Sequence, residues 1–416
     1  VGAEQFTVAV VGLGHAGLPL SLVIADAGIK VIGVDINKER VEMINAGTNP
    51  LPEEPGLEEL LKKNLGKTFR AVTSVDEAAQ ECNTYIVIVP LLVDDEMRPN
   101  FKYLNDAFNN ISKVLKQGDL VVLETTVPVG TTRGLVRHIL ERSGLVAGKD
   151  FYLGYSPERM MTGYAISRYK EFPKLIAGID DASLEKMHKL YSQFCANIVS
   201  AASCEEAELA KIFEGIYRDV NIALANEMMK IAESYGLNFW RVRKLAKHAY
   251  CNIMRAGIGV GGHCIPVYPW FVINSKAGSV AKLTLVARQV NDSMVDFFLQ
   301  KIRETLKKEG KILPEAKVAV LGVTYRPGTK YVAFSRALVL IKRLKENNVV
   351  VSALDPMLSP EELEKLTHCK EAKLEEQDLI VVTNRYEEFK EQLKALEGKI
   401  PIIDCANLLG ENNEEE

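Results

Sequence analysis

Apolar residues fall into short β-branched runs separated by longer stretches with the spacing of helices. Residues 6–11 (FTVAVV), 30–35 (KVIGVD), 85–90 (YIVIVP), 120–123 (LVVL) and 151–154 (FYLG) read as strands. Strands alternating with helical segments predict a doubly wound parallel sheet. From about Ser203 to Tyr235 there is no proline and one glycine, Gly215. This predicts a single helix of unusual length, suited to link two domains and to form a dimer contact. Glu205, Glu208, Lys211, Arg218 and Glu227 are interspersed along its apolar stripe, and for most of them a solvated face is the plain reading. Strand patterns resume at 317–322, 349–355, 378–383 and 400–404, so a second α/β domain is expected over roughly residues 300–410. Ligand contacts collect at the carboxyl ends of parallel strands. Two such ends are chemically rich, residues 124–130 (ETTVPVG) and 155–159 (YSPER).

Composition narrows the class. A chain of 416 residues, 47% hydrophobic and 25% charged, has the balance of a soluble globular protein of two or three domains. No apolar run approaches the ~20 residues of a membrane span, and no basic segment followed by an apolar core opens the chain, so no membrane partner and a cytoplasmic location are expected. It begins at Val1, which suggests numbering that starts inside a longer gene product. Lys and Arg number 51 against 55 Asp and Glu, leaving no general basic footprint for nucleic acid. Any bound phosphate must be held by local donors. The seven cysteines are odd in number and contain no C-x-x-C pair, which favours reduced thiols. The six histidines show no metal-ligand spacing, so no metal is expected. The acidic residues 411–416 are expected to fray.

The first strand runs directly into residues 12–17 (GLGHAG), a helical pattern follows, and the second strand ends on Asp35 about 20 positions later. That is the complete dinucleotide fingerprint in its βαβ setting. Gly12 would permit the tight turn, Gly14 the approach of backbone to a pyrophosphate, and Gly17 close helix packing, with the helix N-terminus facing the anion. Asp35 would accept from the ribose hydroxyls and repel a 2'-phosphate, favouring NAD over NADP. The bland alternative is a βα turn that binds no phosphate. The expected fold is therefore α/β, two Rossmann-like doubly wound parallel-sheet domains joined by a long central helical segment. The second glycine turn, at Gly322, is incomplete and should bind something other than the dinucleotide.

Residues 259–266 (GVGGHCIP) place Cys264 in a glycine-rich turn beside His263, far in sequence from any cysteine it could pair with. Glycines leave room for a substrate, and a neighbouring imidazole or backbone N–H groups can favour the reactive thiolate. A buried loop cysteine is the competing reading, but it leaves the glycines unexplained.

Together with residues 126–129 (TVPV), 156–159 (SPER) and Lys211, these motifs stand in the order and at the approximate spacing of the UDP-glucose/GDP-mannose dehydrogenase family, which the chain resembles over nearly its whole length. The resemblance implies an NAD-binding Rossmann-like domain at 1–200, a central helical dimerisation domain with the cysteine loop at 201–298, and a C-terminal UDP-sugar-binding α/β domain at 299–416. It implies a four-electron oxidation at C6 of the sugar, with Cys264 as nucleophile, Lys211 stabilising the oxyanion, Glu158 as general base and Thr126 holding water, substrate oxygen or cofactor. On residue type alone, Glu158 and Lys211 are ordinary surface charges. The Gly-Gly-His-Cys-Ile-Pro and Ser-Pro-Glu-Arg segments resemble the branch acting on UDP-N-acetylhexosamines, as does the stretch 217–227 that includes Asn221. His263 then marks that branch, and the manno epimer is the first choice of substrate over the gluco form. Arg159, Lys211, Asn221, Arg255, Tyr325 and Arg326 are the substrate-binding candidates beside His263, and a homodimer or larger homo-oligomer is implied. Two other readings stay open: a non-catalytic sugar-nucleotide-binding regulator, and a two-electron hydroxyacid dehydrogenase, which needs no such cysteine.

Several positions depart from the family pattern. Tyr268 stands where aspartate is usual, four residues beyond Cys264, and Gly215 where asparagine is expected, four beyond Lys211. Thr162 replaces a second glutamate of the UDP-glucose branch, and Ala333-Phe334 replaces an arginine-glutamate pair. A phenol, with a pKa of about 10, cannot replace a carboxylate as a base near neutral pH.

Overall fold

The β-branched runs form strands, and more of them than the sequence pattern separates. The structure, a computed structural model, describes residues 5–160 and 163–410; Thr162 and residues 411–416 lie outside the described residues. The chain divides into two compact units, Val1–Phe213 and Glu214–Glu416.

The first unit is built on an eight-stranded sheet: Thr7–Val11 (β1), Lys30–Val34 (β2), Phe69–Val72 (β3), Thr84–Val87 (β4), Leu120–Leu123 (β5), Tyr152–Tyr155 (β6), Lys174–Gly178 (β7) and Ile198–Ser200 (β8). Its order is β8-β7-β6-β5-β4-β1-β2-β3. The six strands β3-β2-β1-β4-β5-β6 run parallel in the doubly wound order of dinucleotide-binding folds. Strand β7 then reverses, pairing antiparallel with β6 through Gly154↔Gly178 and Tyr155↔Ala177. The expected sheet is thus mixed at one edge, and the reversal brings the start of β7 to the carboxyl edge of the parallel strands. Beyond the threonine that opens β1 and β4, strands β1, β4 and β5 are apolar because helices cover both faces of the sheet. Val8, Val10, Leu18, Leu22 and Ile86 are fully buried in one core, each side chain contributing about 1.5–3 kcal/mol by burial.

The second unit carries a five-stranded parallel sheet of Lys317–Leu321 (β9), Val350–Leu354 (β10), Lys370–Glu371 (β11), Leu379–Val382 (β12) and Ile402–Asp404 (β13), ordered β11-β10-β9-β12-β13. Before it come the long helices Cys204–Ser234 and Lys282–Lys308, 31 and 27 residues. The first is the single long helix that the absence of proline predicts, and the boundary between the units falls inside it. Phe213, Tyr217, Leu224 and Ile231 form an exposed stripe along it at helical spacing. Among the described residues no helix is long and apolar enough to cross a membrane.

In the second unit the two helices are joined by a buried polar network. Arg288, 2% exposed, donates to Asp219 at 2.6 Å and to Asp292 at 2.6 Å. Asn291 Nδ2 donates to Asp219 at 2.8 Å, Asn226 Nδ2 donates to Asn291 at 2.9 Å, and the Gly257 amide donates to Asn226 Oδ1 at 2.9 Å. Removing one partner of a buried ion pair leaves an uncompensated charge. Asp219→Ala should therefore cost about 3–5 kcal/mol of stability, measured as the shift in a denaturant unfolding transition, whereas breaking an exposed pair such as Lys330–Glu362 should leave that transition nearly where it is.

Candidate active site

The turn after β1 has the shape its glycines predict. Gly12 has φ +101°, and a Cβ there would lie 2.6 Å from the Ile88 carbonyl oxygen. A Cβ on Gly17 would lie 1.7 Å from the Gly12 carbonyl oxygen, so the helix Gly17–Asp26 rests directly on the turn. At Gly14 the nearest atom to a Cβ is Arg40 Nη1 at 3.9 Å, and the space in front of the turn is open. That helix has no acidic residue in its first turn and no side-chain cap, which suits a bound anion. Asp35 follows the end of β2; its carboxylate accepts from the Leu13 amide at 2.9 Å and the Asn37 amide at 2.9 Å. Arg40 lies 3.7 Å from the same carboxylate, a neighbour that the sequence motif does not single out. Open space at Gly14, glycine-only packing at Gly12 and Gly17, and an acid at the end of β2 fit NAD. The turn after β9 differs. Asp355, its matching acid, is buried and already accepts from the Val323 amide at 2.6 Å, the Thr324 amide at 2.8 Å and the Thr324 hydroxyl at 3.0 Å.

The carboxyl ends of β5 and β6 carry a second group of residues. Lys174, the first residue of β7, reaches the buried Glu124 at 2.8 Å, and Tyr191 donates its hydroxyl to the other oxygen of that carboxylate. The Lys174 ammonium also lies over the rings of Tyr169 and Tyr191. Glu158 accepts from the Met160 amide and lines a small cavity of about 20 Å3 with Arg159, Lys174 and Tyr169, about the space of one water. Loss of water around its carboxyl, opposed by Lys211 and then Lys174, holds Glu158 above the ordinary carboxylate range. Thr126 is buried. Glu158 and Lys211, which carry no signal by residue type alone, are thus brought into electrostatic contact. Arg159 donates to the Pro173 carbonyl at 3.0 Å.

Glu208 corrects the reading of a solvated helix face. It is fully buried and accepts from the Gly130 amide at 2.5 Å and from the Thr132 amide and hydroxyl at 2.9 and 2.7 Å. It thereby ties the helix that carries Lys211 to the loop that follows Thr126. Burial outweighs these donors and pushes its carboxyl up to about 7.

In the second unit Cys264 is exposed, and the Tyr268 hydroxyl donates to its sulfur at 3.2 Å. Gly262, at φ +87°, lies under the Tyr325 ring, where a Cβ would come within 2.9 Å. Its amide donates to the Ala333 carbonyl at 2.9 Å. Tyr325 accepts from Arg326 Nε at 2.7 Å, so this pair flanks the turn that bears His263 and Cys264. Arg255 donates to the Ala406 carbonyl at 3.0 Å and stacks on Trp240. Asn221 turns its amide back onto the Tyr217 carbonyl of its own helix, at 2.7 Å. Lys174, Tyr191, Glu208 and Tyr268 are thus added to the candidate site residues; in the sequence Glu208 stood only among the helix charges and Tyr268 only as a departure from the expected pattern, and Lys174 and Tyr191 carried no signal.

Comparison with known proteins agrees with this geometry. The UDP-glucose/GDP-mannose dehydrogenase family matches with its NAD binding domain over residues 6–195, its central domain over 205–293 and its UDP binding domain over 319–411. The chain belongs to this family. Similar relatives include UDP-N-acetyl-D-mannosamine dehydrogenases of Campylobacter jejuni, 36% identical over 93% of this chain and 97% of that protein, and of Methanocaldococcus jannaschii, 33% identical over 97% and 92%. A solved UDP-D-ManNAc dehydrogenase from Pyrococcus horikoshii superposes with a TM-score of 0.89 at 32% identity, covering 98% of this chain and 96% of that one. As a member of the family the protein is an NAD-dependent UDP-sugar dehydrogenase.

Two outcomes are expected. Gly14→Ala should change the unfolding free energy by less than about 1 kcal/mol while weakening NAD binding in a calorimetric titration, whereas Gly17→Ala should disrupt the fold itself. A carboxyl held near 7 when folded and near 4.5 when unfolded binds its proton more tightly in the native state. Its contribution to stability is thus fullest below pH 4.5 and is lost as pH rises to about 7. The stability difference between wild type and Glu208→Gln should fall by roughly 3 kcal/mol across that window in pH-dependent unfolding, and a flat difference would show that Glu208 ionises normally.

Proposed function

We propose that the protein oxidises C6 of a UDP-N-acetylhexosamine by four electrons, converting UDP-N-acetyl-D-mannosamine to its uronate. The observation that carries this reading is that one thiol alone among the seven is exposed. Cys82, Cys195, Cys204, Cys369 and Cys405 are buried and Cys251 is half-buried, while Cys264 is exposed in a glycine turn. Burial pushes the Cys82 and Cys204 thiols up to about 12 and that of Cys195 up to about 11, where they stay protonated and inert.

When bound, NAD+ accepts the hydride that leaves C6 in each of two rounds. In the first, the alcohol also gives up its hydroxyl proton and becomes an aldehyde. Cys264 sulfur then bonds to the carbonyl carbon as the carbonyl oxygen takes a proton, giving a thiohemiacetal. The second hydride leaves that carbon, the hydroxyl proton departs, and a thioester remains. Water gives up one proton to a base as its oxygen bonds to the carbonyl carbon, the C–S bond breaks with its electron pair going to sulfur, and the acid so formed loses its own proton. Lys211 would stabilise the alkoxide and oxyanion of these steps as a cationic donor. Glu158, held above the ordinary carboxylate range by loss of water and adjoining a cavity that fits one water, suits the proton transfers, and Thr126 would hold the water or substrate oxygen.

Residues 1–200 would hold NAD, 201–298 would form a dimerisation domain with the cysteine loop, and 299–416 would hold the UDP-sugar. The exposed stripe of Phe213, Tyr217, Leu224 and Ile231 supports a homodimer. Arg326 and Tyr325 beside the cysteine turn support phosphate or sugar contacts there, with His263, while Arg159, Arg255 and Asn221 are proposed as further substrate ligands.

The experiment is a substrate panel of UDP-glucose, UDP-N-acetylglucosamine and UDP-N-acetylmannosamine with NADH counting. UDP-N-acetylmannosamine should give two NADH per sugar, and Cys264→Ala should lower uronate formation by a factor on the order of 10^3 or more. One NADH per sugar would sink the thioester route. Preference for UDP-N-acetylglucosamine would reverse the choice of epimer, and binding without turnover would favour a regulator.

A further inference from the structure

The two departures nearest the cysteine meet in space. Gly215 lies on the helix Cys204–Ser234, where a Cβ would stand 3.2 Å from both Cβ and Cδ2 of Tyr268. That is tighter than ordinary van der Waals contact, so the bare glycine face is what seats the ring. Tyr268 begins the short helix Tyr268–Ile273, and its amide donates to the Cys264 carbonyl at 3.0 Å. This turn aims the ring back along the cysteine, and the hydroxyl donates to the sulfur at 3.2 Å. Phe271, with ring centroids 5.8 Å apart, supports it from the same helix.

We propose that Gly215 and Tyr268 form a coupled pair in which the glycine clears the space for the phenol, and the phenol polarises the sulfur of Cys264. This rests on the reading of Cys264 as nucleophile. A hydrogen bond donated to sulfur favours the thiolate over the thiol. It therefore favours the thiolate for attack on the aldehyde and again as leaving group, when the C–S bond of the thioester breaks and sulfur receives the electron pair. The same phenol cannot take the proton of the attacking water near neutral pH, since its ordinary pKa is about 10. That proton goes to a carboxylate, Glu158 in our reading. Tyr268 thus acts on sulfur, and the burden of activating water falls elsewhere.

Other titratable groups face the same turn. Tyr331 is held above its ordinary value by burial and then by the Cys264 sulfur, and Tyr325, bonded to Arg326, covers Gly262. His263 is the adjacent residue. None of these is altered in the variants below.

The test follows alkylation of Cys264 by iodoacetamide across pH in the full-length protein, read by peptide mass spectrometry so that it requires no turnover. Tyr268→Phe keeps the ring and removes the donor; the pH midpoint of Cys264 alkylation should rise by about one unit. Gly215→Ala adds a helix-favouring residue, so the protein should stay folded, yet the added methyl displaces the ring and should raise the midpoint in the same direction. In the double variant the two shifts should not add, because one hydrogen bond is lost either way. A midpoint for Tyr268→Phe within about 0.2 unit of wild type, or shifts that add in the double variant, would overturn the proposal. Failure of the proposed reaction would show instead as full uronate formation by Cys264→Ala, a result that leaves the alkylation profile untouched.

Discussion

The second unit depends on a charge taken out of water. Arg288 lies in the first third of the helix Lys282–Lys308 with almost no exposed surface, and only the carboxylates of Asp219 and Asp292 make that tolerable. A buried ion pair contributes little net stability compared with an apolar pair of the same shape. What it does supply is register. Asp219 can meet Arg288 and Asn291 only when the two long helices are aligned along their axes, and the chain Asp219–Asn291–Asn226 ends on the Gly257 amide. Arg336 adds a bond to the Asp292 carbonyl at 3.1 Å, which fixes the start of the helix Arg336–Glu346. The glycine turn with Cys264 is therefore flanked by segments held to one polar centre, and a loop rich in glycine gains a fixed base.

In the first unit the corresponding constraint is the reversed strand β7. All-parallel continuation would have sent Lys174 to the amino edge of the sheet. Reversal places it at the carboxyl edge against Glu124, beneath Glu158. The ammonium is held there by one carboxylate and two aromatic faces, and its charge in turn opposes the desolvation of Glu158.

Much of this was legible in the sequence wherever the cause was local. The glycines at 12, 14 and 17 obey steric rules that act within one turn, and the long helix announces itself by the absence of proline. Strands β1, β2, β4, β5 and β6 stood out because burial on both faces demands uninterrupted apolar runs. The two edge strands, β3 with Arg70 in its middle and β8, carry weaker patterns, because edge positions ask less of a side chain, and the short run of β7 is buried but opens on a lysine that hides it. Glu208 did not stand out among the helix charges for a different reason: helical periodicity says that a face is buried but not that a carboxylate on it has found three donors 76 to 78 residues away. Gly215 and Tyr268 each appeared as an isolated oddity, since a contact spanning 53 positions leaves no trace in spacing.

The sorting of the seven thiols also decides how this chain would wear out. Peroxide attacks thiolates that it can reach, and most of the sulfur here is shut away and held protonated. If Cys264 is the nucleophile we propose, the hydrogen bond from Tyr268 that readies it for an aldehyde would, by the same polarisation, make it the first sulfur to meet an oxidant. Chemical ageing would then be concentrated on the proposed nucleophile, and the scaffold around it would be spared.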